Sequence, residues 1–414
     1  MRFNFSRVPA ALLAALLAGM GAAQAQSQPQ TITTAVPILT LSPDARGSSM
    51  GEAGVATSPD ANGAYYNPGK LGFVPFQYAT SLSYSPWLRA VTDDMSLSHV
   101  AGYGKVGQRS ALAGSLTYFD LGQIDYRTGQ NFPNGSFNPK EYALTVSYGQ
   151  KLSETLGVGI SARYIRSNLV GAYNGNDAAP GNALAVDLGP YYAKDATIGT
   201  GVYNLAFGLA VQNIGNKIVY RDPLTPSFLP TNLKLGTAIT REIDQYNKIT
   251  VTFDANKLLV PSPYYEETIE TTAAGKAEQQ KRIAEENKKR NDQSIISGIT
   301  SSFGDAVGGA KEELKEINLS TGLEYNYNDL LQVRAGYFYE SPVKGDRQYL
   351  SFGAGIRYQA FGVDGTYLVP TSSNNQANPL GQTIRVSLHF NLNKLSEAFN
   401  ENGAGGTSGE TPTE

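Results

Sequence analysis

Two histidines, His99 and His389, and no cysteine are all the imidazole and thiol groups in this 414-residue chain. Thiolate metal sites, disulfides and cysteine nucleophiles are therefore excluded. A zinc centre or a histidine-based triad has almost nothing to draw on. Gly102-x-Gly104-x-x-Gly107 fits the dinucleotide-binding pattern. It falls at a strand-to-strand turn with no helix behind it, so phosphate would find no helix N-terminus there. Gly304 to Lys311 is glycine-rich but lacks the spacing of a phosphate-binding loop. No pair of carboxylates is spaced for hydrolysis. The sequence thus offers no catalytic residue, no metal ligand set and no cofactor.

The chemistry that remains is charge pairing and contact. Arg163, Asp187, Lys234, Glu324, Arg334, Arg357 and Arg385 alternate with apolar neighbours, which puts them on one face of extended segments. Asp44, Arg46, Glu52 and Asp60, in a Pro- and Gly-broken N-terminal stretch, have the charges to pair with them. Buried charge is tolerable only when paired or solvated. Two readings follow, a static plug network and a gated pore, and the static plug is favoured. The second group is Pro86, Trp87, Leu88 and Arg89, a cluster holding the chain's one Trp. Exposed Trp beside Arg is typical of interface anchors; the alternative is a Trp of the membrane-interface belt. Phe228, Leu229 and Phe303 are further apolar candidates on long loops.

The elements that would position these residues are strands. Charged residues are 17% of the chain, against about 25% in ordinary soluble domains. There are 44 glycines and 25 tyrosines, a composition that suits an outer-membrane barrel. Net charge is −3, so no global basic field points to nucleic acid. Arg2 and Arg7, the uncharged run Val8 to Ala23 and then Ala23-Gln24-Ala25 read as a cleavable signal peptide over 1–25. Beyond it the dominant period is two. Leu156, Val158, Ile160, Ala162 and Tyr164 alternate with Gly157, Gly159, Ser161 and Arg163. A soluble sandwich would carry charge on its outer face; here the polar face is rich in Gly, Ser and Ala, as in a packed lumen.

About fourteen such segments are predicted, near 76–85, 93–103, 109–119, 140–150, 154–166, 182–193, 201–213, 232–241, 247–257, 317–326, 330–339, 347–358, 362–369 and 381–392. Short connections alternate with long ones, which sorts the long loops to the cell exterior. The predicted fold is all-β, a fourteen-stranded antiparallel transmembrane barrel over 76–392, with an N-terminal hatch over 26–75. A loop over 258–316 holds a polar helix from Lys276 to Asn291, with Glu278–Arg282, Glu285–Lys289 and Glu286–Arg290 as i,i+4 pairs. Its flanks, Ile295-Ile296 and Phe303 to Lys315, are expected to bed on the barrel mouth or a partner. Residues 393–414, rich in Gly, Ser, Thr and Glu, are predicted to be a disordered periplasmic tail.

A signal peptide, an Asn-Pro motif in an N-terminal segment and fourteen strands resemble the FadL family of outer-membrane barrels. Its hatch carries Asn-Pro-Ala where this chain has Asn67-Pro68-Gly69. The closer resemblance is to the PorV (LptO) family, FadL-like barrels of the type IX secretion system of Bacteroidota. It runs through Pro43-Asp44-Ala45-Arg46-Gly47, Gly51-Glu52-Ala53-Gly54-Val55-Ala56-Thr57-Ser58, Ser83-Tyr84-Ser85-Pro86-Trp87-Leu88-Arg89, Pro230-Thr231-Asn232-Leu233, Asn256-Lys257-Leu258-Leu259-Val260-Pro261 and Arg334-Ala335-Gly336-Tyr337-Phe338. The segment 264–295 has no counterpart in it.

The resemblance implies a protein that is not an enzyme. It implies an outer-membrane shuttle that binds the C-terminal signal domain of secreted cargo at a SprA/Sov-like translocon barrel. Cargo then passes to an attachment complex containing a PorU-like sortase. Exterior-loop residues Pro86, Trp87, Leu88, Arg89, Phe228, Leu229 and Phe303 would contact cargo or translocon. Asp44, Arg46, Asn67, Pro68, Arg163, Glu324, Arg357 and Arg385 would latch the hatch. The alternative is a FadL-type transporter of hydrophobic small molecules, which would need an apolar lumen.

Overall fold

A computed structural model of the protein describes residues 30–87, 92, 94–169, 179–220, 226–268, 270–371 and 383–393. The proposed signal peptide and all but the first residue of the proposed tail lie outside them. Sixteen strands form: β1 Tyr78–Pro86, β2 Met95–Lys105, β3 Ser110–Leu121, β4 Ile124–Arg127, β5 Pro133–Phe137, β6 Lys140–Lys151, β7 Leu156–Asn168 and β8 Gly181–Ile198 in the first half. The second half holds β9 Gly201–Gly215, β10 Asn232–Glu242, β11 Asn247–Leu258, β12 Ile317–Tyr327, β13 Leu331–Tyr339, β14 Gln348–Tyr358, β15 Phe361–Pro370 and β16 Ile384–Asn391. Fourteen close into one antiparallel barrel through β1 against β16, and each of the fourteen expected segments is one of its strands. β4 and β5 stand apart as a two-stranded hairpin, in a stretch read from sequence as plain loop.

Closure follows from the membrane's refusal to hydrate backbone, since an open sheet edge in hydrocarbon would leave its N–H and C=O groups unpaired. The period-two pattern is realised inside out. Leu82, Tyr84, Val100, Leu112, Leu144, Val146, Ile160, Leu188 and Phe253 are exposed on the outer wall. Their neighbours Ser81, Ser83, His99, Ser147, Ser161, Asp187 and Asp254 are buried against the lumen contents. No described helix is long and apolar enough to cross a membrane.

The ends of the barrel differ. At the end where Tyr78 and Asn391 lie, strands turn in a few residues; Asn328, Asp329 and Gln359 take left-handed φ of 53°, 51° and 52° in two of these turns. That conformation is typical of tight hairpins, and Asn and Asp tolerate it better than most residues. The other end carries the long connections, including 259–316, and is therefore the exterior face.

Residues 42–74 lie in the lumen. α1 (Ala45–Ser49) and α2 (Gly63–Tyr66) are short, and a 3-10 turn at Pro68–Phe73 follows. Asp44 caps α1 through the Gly47 amide at 3.0 Å, and Asn67 caps the 3-10 turn through Gly69 at 2.9 Å. Both caps stand immediately before helix-starting positions, as capping preferences require. Bonds from this segment reach the wall on many sides: Ala45 N to Ser387, Gly51 N to Ser351, Gly54 and Val55 N to Asp254, and Gln212 to the Tyr65 carbonyl. We expect the closed barrel to migrate faster unheated than boiled on a denaturing gel; identical migration would contradict closure.

Candidate functional site

Two regions concentrate polar and apolar specificity: the hatch–wall network inside and the exterior mouth. In the network Arg46 leaves α1 and meets Glu324 of β12, with Nε and Nη2 each 3.1 Å from a carboxylate oxygen. It also reaches Asp60 at 2.8 Å. Glu324 is shared with Arg334 of β13 at 2.6 Å. Arg334 continues to Asp364 at 3.0 Å, and Asp364 takes Arg357 at 2.7 Å and His389 at 2.7 Å. The polar chain thus runs from the hatch across five strands, β12 to β16. Glu324 accepts from two guanidinium groups, and Asp364 from two more and from the His389 ring, which offsets the cost of burying them.

Arg385 is fully buried, bonds the Ser42 carbonyl and the Ser48 hydroxyl, and lies 3.7 Å from Glu52. Arg163 pairs with Asp187 at 2.7 Å and bonds Asn213 and Thr145. Asp44 accepts from the Tyr66 hydroxyl at 2.5 Å. The Asn67 amide donates to the carbonyls of Pro190 at 2.9 Å and Leu209 at 3.3 Å, while Pro68 opens the 3-10 turn. Of the eight expected latch residues, Arg46, Asn67 and Arg385 bond hatch to wall, Glu324 receives Arg46, Arg163 and Arg357 pair within the wall, and Asp44 bonds only within the hatch. Sequence reading left out Asp364, Asp254 and Lys70. The two aspartates sit in the same inward register as the residues it named, so alternation alone would have found them. Lys70 has no periodic signal; its ammonium is buried against the Gly54 carbonyl at 2.8 Å. His389, read from sequence as packing, hydrogen-bonds Asp364 through Nε2 at 2.7 Å.

At the mouth the N-terminal strap, residues 30–41, crosses from wall to wall, with Ala35 N donating to the Phe228 carbonyl at 2.8 Å. Val36 sits at φ 49° directly before Pro37. A β-branched residue is strained there and must be held by its surroundings; Val36 is fully buried. On one side of the strap is a cavity of about 390 Å³ with apolar walls from Ile38, Leu41, Trp87, Phe119 and Leu258. On the other is a cleft of about 630 Å³ between Thr31, Phe228, Pro261, Tyr264 and Asn287.

The long loop over this mouth is a folded cap. Helix α3 (Ala273–Asp292) packs one edge down through Arg290, which donates to the carbonyls of Ser262 and Asp305, and through Asn287 on Tyr264. Helix α4 (Ile295–Ser301) lays Gly298 on the Phe228 ring. Lys257 pairs with Glu313 and Glu316, and Lys344 with Glu312 and Glu316, tying the cap to the 340–347 loop. Tyr265 donates to Glu312 at 2.8 Å; burial and that carboxylate push its hydroxyl up to about 12. Burial favours neutral Glu312, but the bond from Lys344 outweighs it and holds the carboxyl below its ordinary value.

Several expectations for the mouth are corrected. Trp87 is only 8% exposed: its ring meets Phe119 edge-on at 5.7 Å and covers the Arg385 guanidinium at 5.9 Å. The reason is register, since Ser81, Ser83, Ser85 and Trp87 continue one inward face. It is a wall of the cavity and not an exposed anchor. Pro86 ends β1 half-buried, and Leu88 and Arg89 lie outside the described residues. Phe228 and Leu229 are buried under the strap and α4. Phe303 is 56% exposed, as an anchor requires. Ile296 at 76% and Leu314 at 68% face outward too, so these flanks bed on the mouth only in part, through Gly298, Ala306 and Glu312. Arg282 turns to Glu266 at 2.9 Å instead of Glu278, Lys289 pairs with Glu286 instead of Glu285, and Glu286–Arg290 forms at 3.8 Å. The β4–β5 hairpin adds an exposed Phe132, 65% accessible, beside its tip.

The chain matches the family model described as Type IX secretion system protein PorV over residues 23–265, more than half its length. It belongs to the PorV family. As such it is an outer-membrane, FadL-like barrel of type IX secretion. No curated protein matches it. Among solved structures it is similar to the Pseudomonas putida toluene transporter TodX, at 10% identity and TM-score 0.47, over 88% of this chain and 100% of that one. The Ralstonia pickettii toluene transporter TbuX is 10% identical with TM-score 0.43, over 85% and 98%. A Pseudomonas aeruginosa FadL homologue is 10% identical with TM-score 0.41, over 88% and 100%.

Removing one partner of a buried pair strands the other charge, at about 3–5 kcal/mol. Glu324→Ala takes one of two carboxylate partners from both Arg46 and Arg334 and cuts the hatch from β12, so it should lower the temperature of the unheated-to-heated gel transition clearly. Exposed Glu154→Ala, which loses contacts to Arg109 and Lys151 at a periplasmic turn, should leave it unchanged. Equal transitions for the two variants would show that the network does not hold the hatch.

Proposed function

We infer that this PorV-family barrel is a secretion shuttle and cargo receptor. It binds the C-terminal signal domain of secreted proteins at a SprA/Sov-type translocon and delivers them to a PorU-type attachment complex. One observation carries most of the reading beyond family membership: the lumen is bolted and the mouth is sculpted. A hatch tied to the wall by two ion pairs and by hydrogen bonds on several sides suits a protein that receives a partner better than one that conducts. The two clefts beside the strap, together with exposed Phe132, Ile296, Phe303 and Leu314, offer apolar contact on the exterior face. Large apolar groups left accessible in this way are what partner surfaces use. No step here is enzymatic.

A second reading, transport of hydrophobic small molecules, is favoured by the apolar walls of the 390 Å³ cavity, whose size is ordinary for a ligand pocket. The latched hatch beneath it weighs against passage. Native purification in mild detergent, followed by mass spectrometry of what accompanies the protein, separates the two. A very large translocon barrel with proteins sharing a C-terminal signal domain supports the shuttle. The protein alone, carrying fatty acid or another apolar molecule, moves the assignment to transport.

Phe303→Ser with Leu314→Ser should reduce the co-purifying translocon or cargo several-fold while the gel mobility of the barrel stays unchanged. Undiminished recovery would remove the cap from the interface.

A further inference from the structure

The wall is indented on its lipid side between β7 and β11, and the indentation lies behind one of the close approaches of the hatch. Gly208 of β9 and Gly236 of β10 face inward onto Val55. A Cβ on Gly208 would stand 2.5 Å from the Val55 carbonyl oxygen, and one on Gly236 would stand 2.8 Å from the Val55 Cβ. No side chain fits between wall and hatch here, so backbone meets hatch directly.

At the same height the β8–β9 ladder is interrupted. Leu188 pairs with Val211 and Tyr191 with Gly208, but Gly189 and Pro190 have no partners across the gap. Pro190 has no N–H to give. The carbonyls of Pro190 and Leu209 are taken instead by the Asn67 amide from inside. The seam is thus closed by the hatch and not by the sheet.

Outside this pinch lies a groove of about 510 Å³. Leu156, Tyr192, Phe207, Leu209, Leu235 and Phe253 stand around it, and Thr237 and Ala255 are the short side chains at its centre. It lies at mid-wall, among outward-facing residues in the band that meets hydrocarbon. A recess in that band must be filled, because an empty one forfeits the dispersion contacts of its lining. Water has almost no polar partner there.

We propose that this groove is a binding site for one acyl chain of a membrane lipid, seated against the seam that Asn67 closes. The chain is held by aliphatic and aromatic side chains, and no headgroup contact is needed. Lipid and hatch then touch opposite sides of one layer of backbone. The proposal does not depend on the shuttle reading, since it concerns the wall and not the mouth.

The test uses the full-length protein reconstituted in detergent-free nanodiscs containing a phosphatidylethanolamine with a photoactivatable acyl chain. After irradiation, labelled peptides are mapped. Label should concentrate on the peptides holding Phe207–Leu209, Leu235–Thr237 and Phe253–Ala255, several-fold over the outward residues of β14 and β15. Thr237→Phe and Ala255→Phe, made separately, fill the groove with apolar volume on a face that already meets lipid. Each should abolish that enrichment while labelling of β14 and β15 persists and the gel mobility of the folded barrel is kept. Even labelling around the wall, or enrichment that survives both substitutions in folded protein, would overturn the site.

Discussion

Glu324 is the residue on which hatch, wall and closure converge. It takes Arg46 from the hatch and Arg334 from the neighbouring strand, and through Arg334 it reaches Asp364, Arg357 and His389. A barrel this size, filled with polypeptide, must bury cations and anions together or neither. Once the pairs exist, they fix where the hatch sits, because each guanidinium fork accepts few geometries. The inward faces are then free to be small, since the hatch and not the wall supplies the volume.

The same economy explains the mouth. A strap, a cap and the 340–347 loop would each be unsupported alone. Lys257, Lys344, Glu312, Glu313 and Glu316 join the cap to that loop and to the top of β11, and the strap's Ala35 joins it to the Phe228 turn. The surface left exposed after this joinery includes Ile296, Phe303 and Leu314 beside the charged face of α3.

Much of this was legible in sequence because a barrel strand states its own orientation: alternation names the face, and loop length names the end. The latch could be read because charge inside such a wall has few explanations. What failed had partners distant in sequence. Trp87 looked exposed beside a proline, yet Phe119 and Arg385 bury it. Arg282 had Glu278 one turn away, yet Glu266 of the preceding loop competes better. The β4–β5 hairpin escaped because both of its strands are short and largely exposed, so neither shows a buried face. Lys70 is held by backbone carbonyl and hydroxyl groups, which leave no pattern.

The course of residues 30–77 also constrains how the molecule can be made. The segment starts beside Phe228 at the exterior rim and joins β1 at the opposite end, where Tyr78 begins the pairing with Gly104. Threading a finished cylinder would carry Arg46 and Glu52 unpaired past a packed wall before they met Glu324 and Arg385. The stopper must therefore be in the bottle before the glass is sealed. The last weld, β1 to β16, runs along Leu82–Leu388 and its neighbours, and Ser387 there already holds the Ala45 amide.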